Sequence, residues 1–353
     1  MPASVTVEKI AYKGWPNCYR ISNDEVELIA TTDIGPRIIR YAFIGGQNMF
    51  VEFDSQLGGS GEKQWVPRGG HRIWIAPEDP ATTYALDNSP VQIATDTAPF
   101  GHGSEAATEP RPQGVPMALR PINIDEEPVL LSRDQRERFF RGAGVSVTLT
   151  QQVEPETGLE KQIVVTLDPS GSGAKLVHRL TNTKNTAWQF APWALSMMAP
   201  GGHGITGFPP RGTHPETLAP SNPLVMWAFT DLSDPRWTFT RKYLILKQDS
   251  ANTGQPQKLG HFNTDTWGAY LLGSDLFIKQ LKADPLQQYP DFHCSYQTFT
   301  NEKLLELETL GPLKMVEPGG TVEHVERWTL HKDVKIASWT DAELDRVLQP
   351  LLK

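Results

Sequence analysis

The sequence predicts an all-β protein built from antiparallel strands. Three observations lead there. Short runs of period-two alternation recur along the chain, turn-forming residues are plentiful, and only the carboxyl terminus carries a helix signature. Extended backbone turns successive side chains to opposite faces, so a half-buried strand alternates apolar and polar. β-Branched and aromatic residues fit that pleated surface best. The 353 residues include 29 glycines and 29 prolines, the supply of turns that many short strands need.

Taken in order, residues 26–31 and 37–43 are the first two runs and 49–53 a third. Gly45-Gly46-Gln47-Asn48, between the second and third, reads as a hairpin turn. In 145–153, Val145, Val147 and Leu149 share one face and Ser146, Thr148 and Thr150 the other. Runs 163–167 and 175–180 follow at sandwich spacing. Later runs are 243–246, 267–272, 276–281, 295–299, 304–307 and 322–330. The tail breaks the pattern. Thr340 is placed to cap a helix with Glu343 completing a capping box, and Leu344, Val347, Leu348 and Leu351 recur at helical spacing. That predicts a short C-terminal helix packed on the sandwich. Segments 79–128 and 200–223 read as long loops. No shift in composition and no internal repeat divides the chain, so 1–353 is expected to be a single domain.

Composition narrows the function classes. Lys plus Arg number 33 against 41 Asp plus Glu, a formal net charge of -8. That argues against nucleic acid or an anionic membrane as the main partner. There is no basic start followed by an apolar run, and no apolar stretch approaches the roughly 18 residues of a membrane span. A cytoplasmic protein is the expectation. The two cysteines, Cys18 and Cys294, exclude a disulfide scaffold and a cysteine-cluster zinc site. Cys294 beside His293 is read as a buried small thiol, not a nucleophile. No His-x-His, His-Glu-x-x-His, phosphate-loop or nucleophile-elbow pattern occurs, so neither metal nor cofactor is expected. Ten tryptophans stand out. Core packing is the simplest reading of any one of them. Trp65, Trp74, Trp193, Trp227, Trp237 and Trp267 are the set from which a platform for sugar rings could be drawn.

Three segments then matter in combination. The first is Gly69-Gly70-His71-Arg72-Ile73-Trp74-Ile75-Ala76-Pro77-Glu78. The second is Leu180-Thr181-Asn182-Thr183 with Phe190-Ala191-Pro192-Trp193-Ala194-Leu195. The third is Leu305-Glu306-Leu307-Glu308-Thr309-Leu310-Gly311-Pro312-Leu313, then Glu317-Pro318-Gly319-Gly320 and Trp328-Thr329-Leu330. In order over residues 15–332 they resemble the galactose mutarotase-like superfamily, the large antiparallel β-supersandwich of the aldose 1-epimerases.

The resemblance implies a sugar held in a concave cleft, as monosaccharide or oligosaccharide. Glu308 matches the general base that acts on the anomeric hydroxyl, and Glu306, two residues earlier, shares its strand face. Arg72 matches a sugar-contacting arginine, whose fork suits paired hydroxyls or a uronic carboxylate. His71 stands where the family has asparagine and is expected to meet a hydroxyl, with Trp74 and Trp193 as platform and His293 near the rim. Glu78 is expected either to pair with Arg68 or Arg72 or to meet ligand.

One departure is chemical. The family's acid histidine is missing, and Trp193 or a neighbour takes its place. His178, His203, His261 and His293 remain as candidate acids, although His178 alternates with Leu176 and Leu180 as a buried core residue does. Two other readings follow: a sugar-binding protein without catalysis, and a uronic-acid lyase with Tyr289 as base. The acidic chain favours a neutral, hydroxyl-rich ligand held by local cations such as Arg72.

Overall fold

A computed structural model describes residues 4–96 and 145–352. In chain order the strands of the first half are β1 (Thr6–Tyr12), β2 (Trp15–Ser22), β3 (Val26–Thr31), β4 (Arg37–Phe43), β5 (Gly70–Ala76), β6 (Gln92–Asp96), β7 (Ser146–Thr150), β8 (Leu159–Leu167), β9 (Ala174–Asn182) and β10 (Trp188–Met198). Then come β11 (His203–Gly207), β12 (Leu224–Met226), β13 (Trp237–Phe239), β14 (Tyr243–Lys247), β15 (Gln257–His261), β16 (Asp265–Leu272), β17 (Asp275–Lys282), β18 (Tyr296–Thr300), β19 (Leu305–Leu310), β20 (Lys314–Val316) and β21 (Thr321–His331). Helix α1 is Asp341–Leu348.

Two antiparallel sheets stack face to face. One runs β1-β2-β3-β4-β5-β10-β19-β18-β15-β12, with β20 also on β10. The other runs β13-β14-β11-β16-β17-β21-β9-β8-β7-β6. This is the predicted all-β supersandwich. Period-two burial is clearest in β9, where Leu176, His178 and Leu180 point inward between half-buried neighbours. An aromatic knot ties the sheets at mid-depth. The Trp328 ring lies 5.6 Å from Tyr41, 5.6 Å from Phe50 and 5.3 Å from Phe277, centre to centre. Helix α1 lays Leu344 and Leu348 on Ile205, Tyr243, Ile245 and Trp267 of the second sheet's outer face. Thr340 caps it by accepting from Glu343 N at 3.4 Å. The Glu343 carboxylate accepts instead from Ala337 N, so only half of the expected capping box forms.

Several expectations change. Residues 49–53 make a single bridge, Phe50 to Met198, and no strand. Asn48 explains this: its side chain accepts from Tyr41 N and Phe50 N and donates to Ile39 O, taking the ladder's place. The expected loop 200–223 contains β11. Its Gly204 lies where a Cβ would sit 3.0 Å from Leu305, and a Cβ on Gly207 would meet the Trp267 ring at 2.8 Å. Gly204 allows close approach between the two sheets, and Gly207 makes room for the Trp267 ring of the neighbouring strand, rather than either marking a turn. Of the expected loop 79–128, residues 97–128 lie outside the described residues, and β6 falls within the rest. Among the described residues no helix is long and apolar enough to cross a membrane.

The knot sets a stability test. Phe277→Ala should cost about 3–5 kcal/mol, and Phe277→Leu less because it leaves a smaller void. Urea unfolding checks this; equal midpoints for both variants would mean that the knot relaxes around either hole.

Candidate functional site

The outer face of the first sheet carries the chemistry. β5, β10, β19, β18 and β15 lie side by side, and their register sets the rows. Arg72 faces Leu195, Leu195 faces Glu308, and Glu308 faces Gln297. In the next row Met197 faces Glu306, Glu306 faces Phe299, and Phe299 faces Lys258. Trp74 and Trp193 pair beside them. β5 is buried along its whole length because one face meets the core and the other is covered by the loop before it. That loop is pinned from below: Arg37 donates to Pro67 O at 2.8 Å and Gly69 O at 2.6 Å, and Arg68 donates to Gly59 O at 2.7 Å. It holds the Trp65 ring 5.3 Å from Trp74 and 5.2 Å from Tyr84.

Between loop and sheet lies a cavity of about 580 Å³. Trp65, Trp74, Trp193 and Trp227 line it, with Tyr84, Phe229 and Phe299. Its charged groups are Arg72, Glu78, Lys258, Lys303 and Glu306. Glu78 accepts from the Tyr84 hydroxyl and pairs with neither Arg68 nor Arg72. The Arg72 guanidinium lies 4.0 Å over Trp74 and 4.8 Å over Trp65. The Lys258 ammonium lies 4.8 Å from both Trp193 and Trp227.

The two glutamates do share a face, but they differ in access. Glu308 has 0% exposure and lies beneath the cavity. Its Oε2 accepts from Trp193 Nε1 at 2.8 Å and from Lys258 Nζ at 3.1 Å. Glu306 lines the cavity itself. Burial, then the charge of Glu308, raises the Glu306 carboxyl to about 7, against the pull of Arg72 and Lys258. Burial also raises Glu308, with Lys258 and Trp193 opposing. Burial alone would depress the Lys258 ammonium; Glu308, Glu306 and Glu78 outweigh it and raise the group. Burial and the nearby Arg37 charge lower Arg72 to about 10.

The cavity thus brings together Arg72, Trp74, Trp193 and Glu306, with Glu308 directly behind. His71 does not belong to it. It is fully buried on the inner face of β5, because side chains alternate and its neighbour Arg72 takes the outer face. His293 is also elsewhere: its backbone φ is +75°, and its ring packs 4.4 Å from Phe262 and 5.4 Å from Tyr289. Tyr289 accepts from Asp284 N through its hydroxyl and does not line this cavity. Lys258 escaped the sequence reading because a lysine in a short polar strand carries no motif; only the fold places it beside Glu308.

His71 instead joins a polar network between the sheets. His178 Nδ1 donates to His324 O at 3.0 Å, so its Nε2 accepts from His71 Nε2 at 2.7 Å. His71 Nδ1 then accepts from Ser196 Oγ at 2.9 Å, and that oxygen accepts from Lys279 Nζ at 3.3 Å. Lys279 and Glu326 form a buried ion pair at 2.8 Å, and Trp328 Nε1 donates to Glu326 Oε2 at 2.8 Å. His324 Nε2 donates to Thr309 Oγ at 2.8 Å, and Thr309 donates to Glu326. Ligand atoms of His71, His178 and Glu326 lie within 4.8 Å of one another, close enough for a cation. Lys279 already neutralises the carboxylate, however, and the facing imidazole lone pairs are used. His178 is the core histidine its alternation suggests. His203 and His261 lie off the cavity: His203 rests 4.8 Å from Trp339, and His261 bonds Thr206 at 3.1 Å.

Comparison with known proteins returns fold alone. No family model matches the sequence, and no curated protein matches it. Solved structures do. A protein from Synechocystis sp. aligns at TM-score 0.53 and 11% identity, over 92% of this chain and 99% of its own. A galactose mutarotase-like protein from Lactobacillus casei aligns at 0.51 and 10%, over 89% and 100%. A candidate aldose 1-epimerase from Klebsiella pneumoniae aligns at 0.52 and 11%, over 97% and 85%. The chain has the galactose mutarotase-like sandwich fold.

The interior network yields a pH prediction. Burial holds His71, His178 and His324 below their usual range, His324 down to about 3. An unfolded histidine titrates near 6.5, so between that pH and the folded values only the unfolded chain takes up these protons. Stability from the network is therefore complete well above pH 6.5 and declines below it, by at most about 1.4 kcal/mol per pH unit for each histidine that stays neutral in the fold. Urea midpoints measured from neutral pH to about pH 5 should fall, and His324→Gln should flatten the slope. A midpoint that stays level would show that the imidazoles are protonated within the fold.

Proposed function

We propose that the cavity binds a carbohydrate and that Glu306 exchanges a proton with its anomeric hydroxyl, an aldose 1-epimerase-like isomerisation. The observation that carries this is a carboxyl raised to about 7 at the wall of an aromatic-lined cavity. Such a group is half ionised at neutral pH, where a general base works best. Tryptophan faces suit the C–H surfaces of a pyranose while the charged groups meet its hydroxyls.

On this reading ionised Glu306 takes the O1 proton. Lys258, kept as an ammonium by the surrounding carboxylates, protonates the ring oxygen as the C1–O5 bond breaks. Rotation about C1–C2 and reclosure return both protons. Glu308 touches no substrate. It holds Lys258 charged and in place, and its own charge keeps Glu306 near neutrality. The sequence expectation that Glu308 itself is the base yields to its lack of exposed surface.

One observation favours a second reading, binding without turnover: Trp193 stands where an acid histidine was expected and donates to Glu308. Polarimetry and exchange NMR over a panel of aldoses separate the two. Turnover should rise with pH through about 7 as Glu306 ionises. Glu306→Gln should slow it by about 10²–10⁴-fold. Binding without turnover in the natural protein would leave the second reading standing. A Glu306→Gln rate equal to the natural one would remove Glu306 as base.

A further inference from the structure

Three arginines lie buried side by side under and along the cavity: Arg37, Arg68 and Arg72. Two have a carboxylate in direct contact. Arg37 is bonded to Asp87 and Arg68 to Glu62. The third does not. One Nη of Arg72 donates to Pro67 O at 3.1 Å and to Met197 Sδ at 3.5 Å. Its other Nη is 3.8 Å from Glu306 Oε1, beyond hydrogen-bond reach. Its Nε is buried without a partner, as are those of Arg37 and Arg68, so the missing direct carboxylate is what sets Arg72 apart. A buried guanidinium is ordinarily matched by an anion, since desolvation is expensive and five donors need acceptors. Arg72 is the only one of the three that lines the cavity.

From this we infer that the cavity takes an acidic sugar, a uronic or aldonic acid, and that Arg72 binds its carboxylate. The inference rests on the carbohydrate reading and names its substrate class. Shape supports it. The guanidinium is held over two tryptophan rings, and a planar fork of donors fits a planar carboxylate with two parallel bonds. Charge supports it too. Of the other cavity cations, Lys258 is bonded to Glu308 at 3.1 Å, and Lys303 lies on an exposed stem 3.7 Å from Glu302. The Arg72 guanidinium, with no carboxylate in hydrogen-bond contact, is the buried cation best placed to meet a monoanion. A phosphate dianion would draw on a second cation, for which Lys303 is the candidate in the lining. The chain's net charge of -8 opposes an anion only weakly, because surface charges beyond about 8 Å are screened at physiological salt.

Calorimetry on the full chain tests this with glucuronate and galacturonate, glucose and galactose, and glucose 6-phosphate. The uronates should bind at least about tenfold tighter than the parent hexoses, and the advantage should shrink with added salt. Arg72→Met should bring the uronate-to-hexose ratio close to one. Arg72→Lys, which keeps the charge and loses the fork, should retain part of it. Hexoses binding as well as uronates would overturn the inference and leave the carbohydrate reading in place. Preference for the phosphate sugar would overturn it in favour of a dianion. Failure of every sugar would remove the carbohydrate reading itself. The ratio for the natural protein decides the matter even if a variant fails to fold.

Discussion

The register of β5 against β10 and of β10 against β19 is the constraint on which both polar sites depend. A strand turns alternate residues to opposite faces, so neighbours in sequence are assigned to different environments. Arg72 goes to the cavity and His71 to the interior. Glu308 goes toward Lys258, and Thr309 toward His324 and Glu326. Leu195 lies under the cavity while Ser196 bonds His71. A slip of one residue in any of these pairings would invert all of them together and bury Arg72 and Glu308 among the imidazoles. The cavity and the network are two faces of one pairing.

The same constraint produces two lysine–glutamate pairs, one on each side of the sheet, with opposite consequences. Inside, Lys279 and Glu326 are ringed by tryptophan, threonine and neutral imidazoles, and every close polar atom has a role. Burial there depresses the histidines, and the pair is locked. Outside, Lys258 and Glu308 sit beside a second carboxylate, Glu306, whose nearest other cation is Arg72 at 3.8 Å. Burial, and after it the charge of Glu308, raises Glu306 to about 7 despite both cations. A matched pair rigidifies; an unmatched carboxylate beside a pair titrates in the neutral range.

Much of the fold was legible because alternation is a local signal. Runs 26–31 and 37–43 coincide with β3 and β4, and the tail helix starts where Thr340 caps it. The strands that escaped lack alternation for physical reasons. β10 is buried on both faces for most of its length and so reads as a continuous apolar run, while β11 carries Gly204 where the other sheet approaches and Gly207 beneath the Trp267 ring. At the site, two-residue spacing placed Glu306 and Glu308 on one face. It could not say which of them reaches the cavity, since that depends on where Trp193 and Lys258 lie. His71 was misplaced because a motif match assigns a segment, whereas facing is decided residue by residue. Lys258 and the pinning arginines are tertiary facts: Arg37 and Pro67 are thirty residues apart in sequence.

The missing acid histidine looks at first like a loss of catalytic means. Proton transfer, however, requires a group whose pKa is near the working pH, not a particular side chain. An imidazole has that value unperturbed; a carboxyl reaches it when burial, a like charge or both raise it. Glu306 has both, from its place in the wall and from Glu308 next to it on the same face. The tryptophan that stands in the histidine's place contributes to this. By donating to Glu308, Trp193 favours the ionised form of that carboxylate, whose charge adds to burial in lifting Glu306. On the proposed reading the exchange of histidine for tryptophan relocates the titrating group by two residues along β19 and adds an aromatic wall to the cavity.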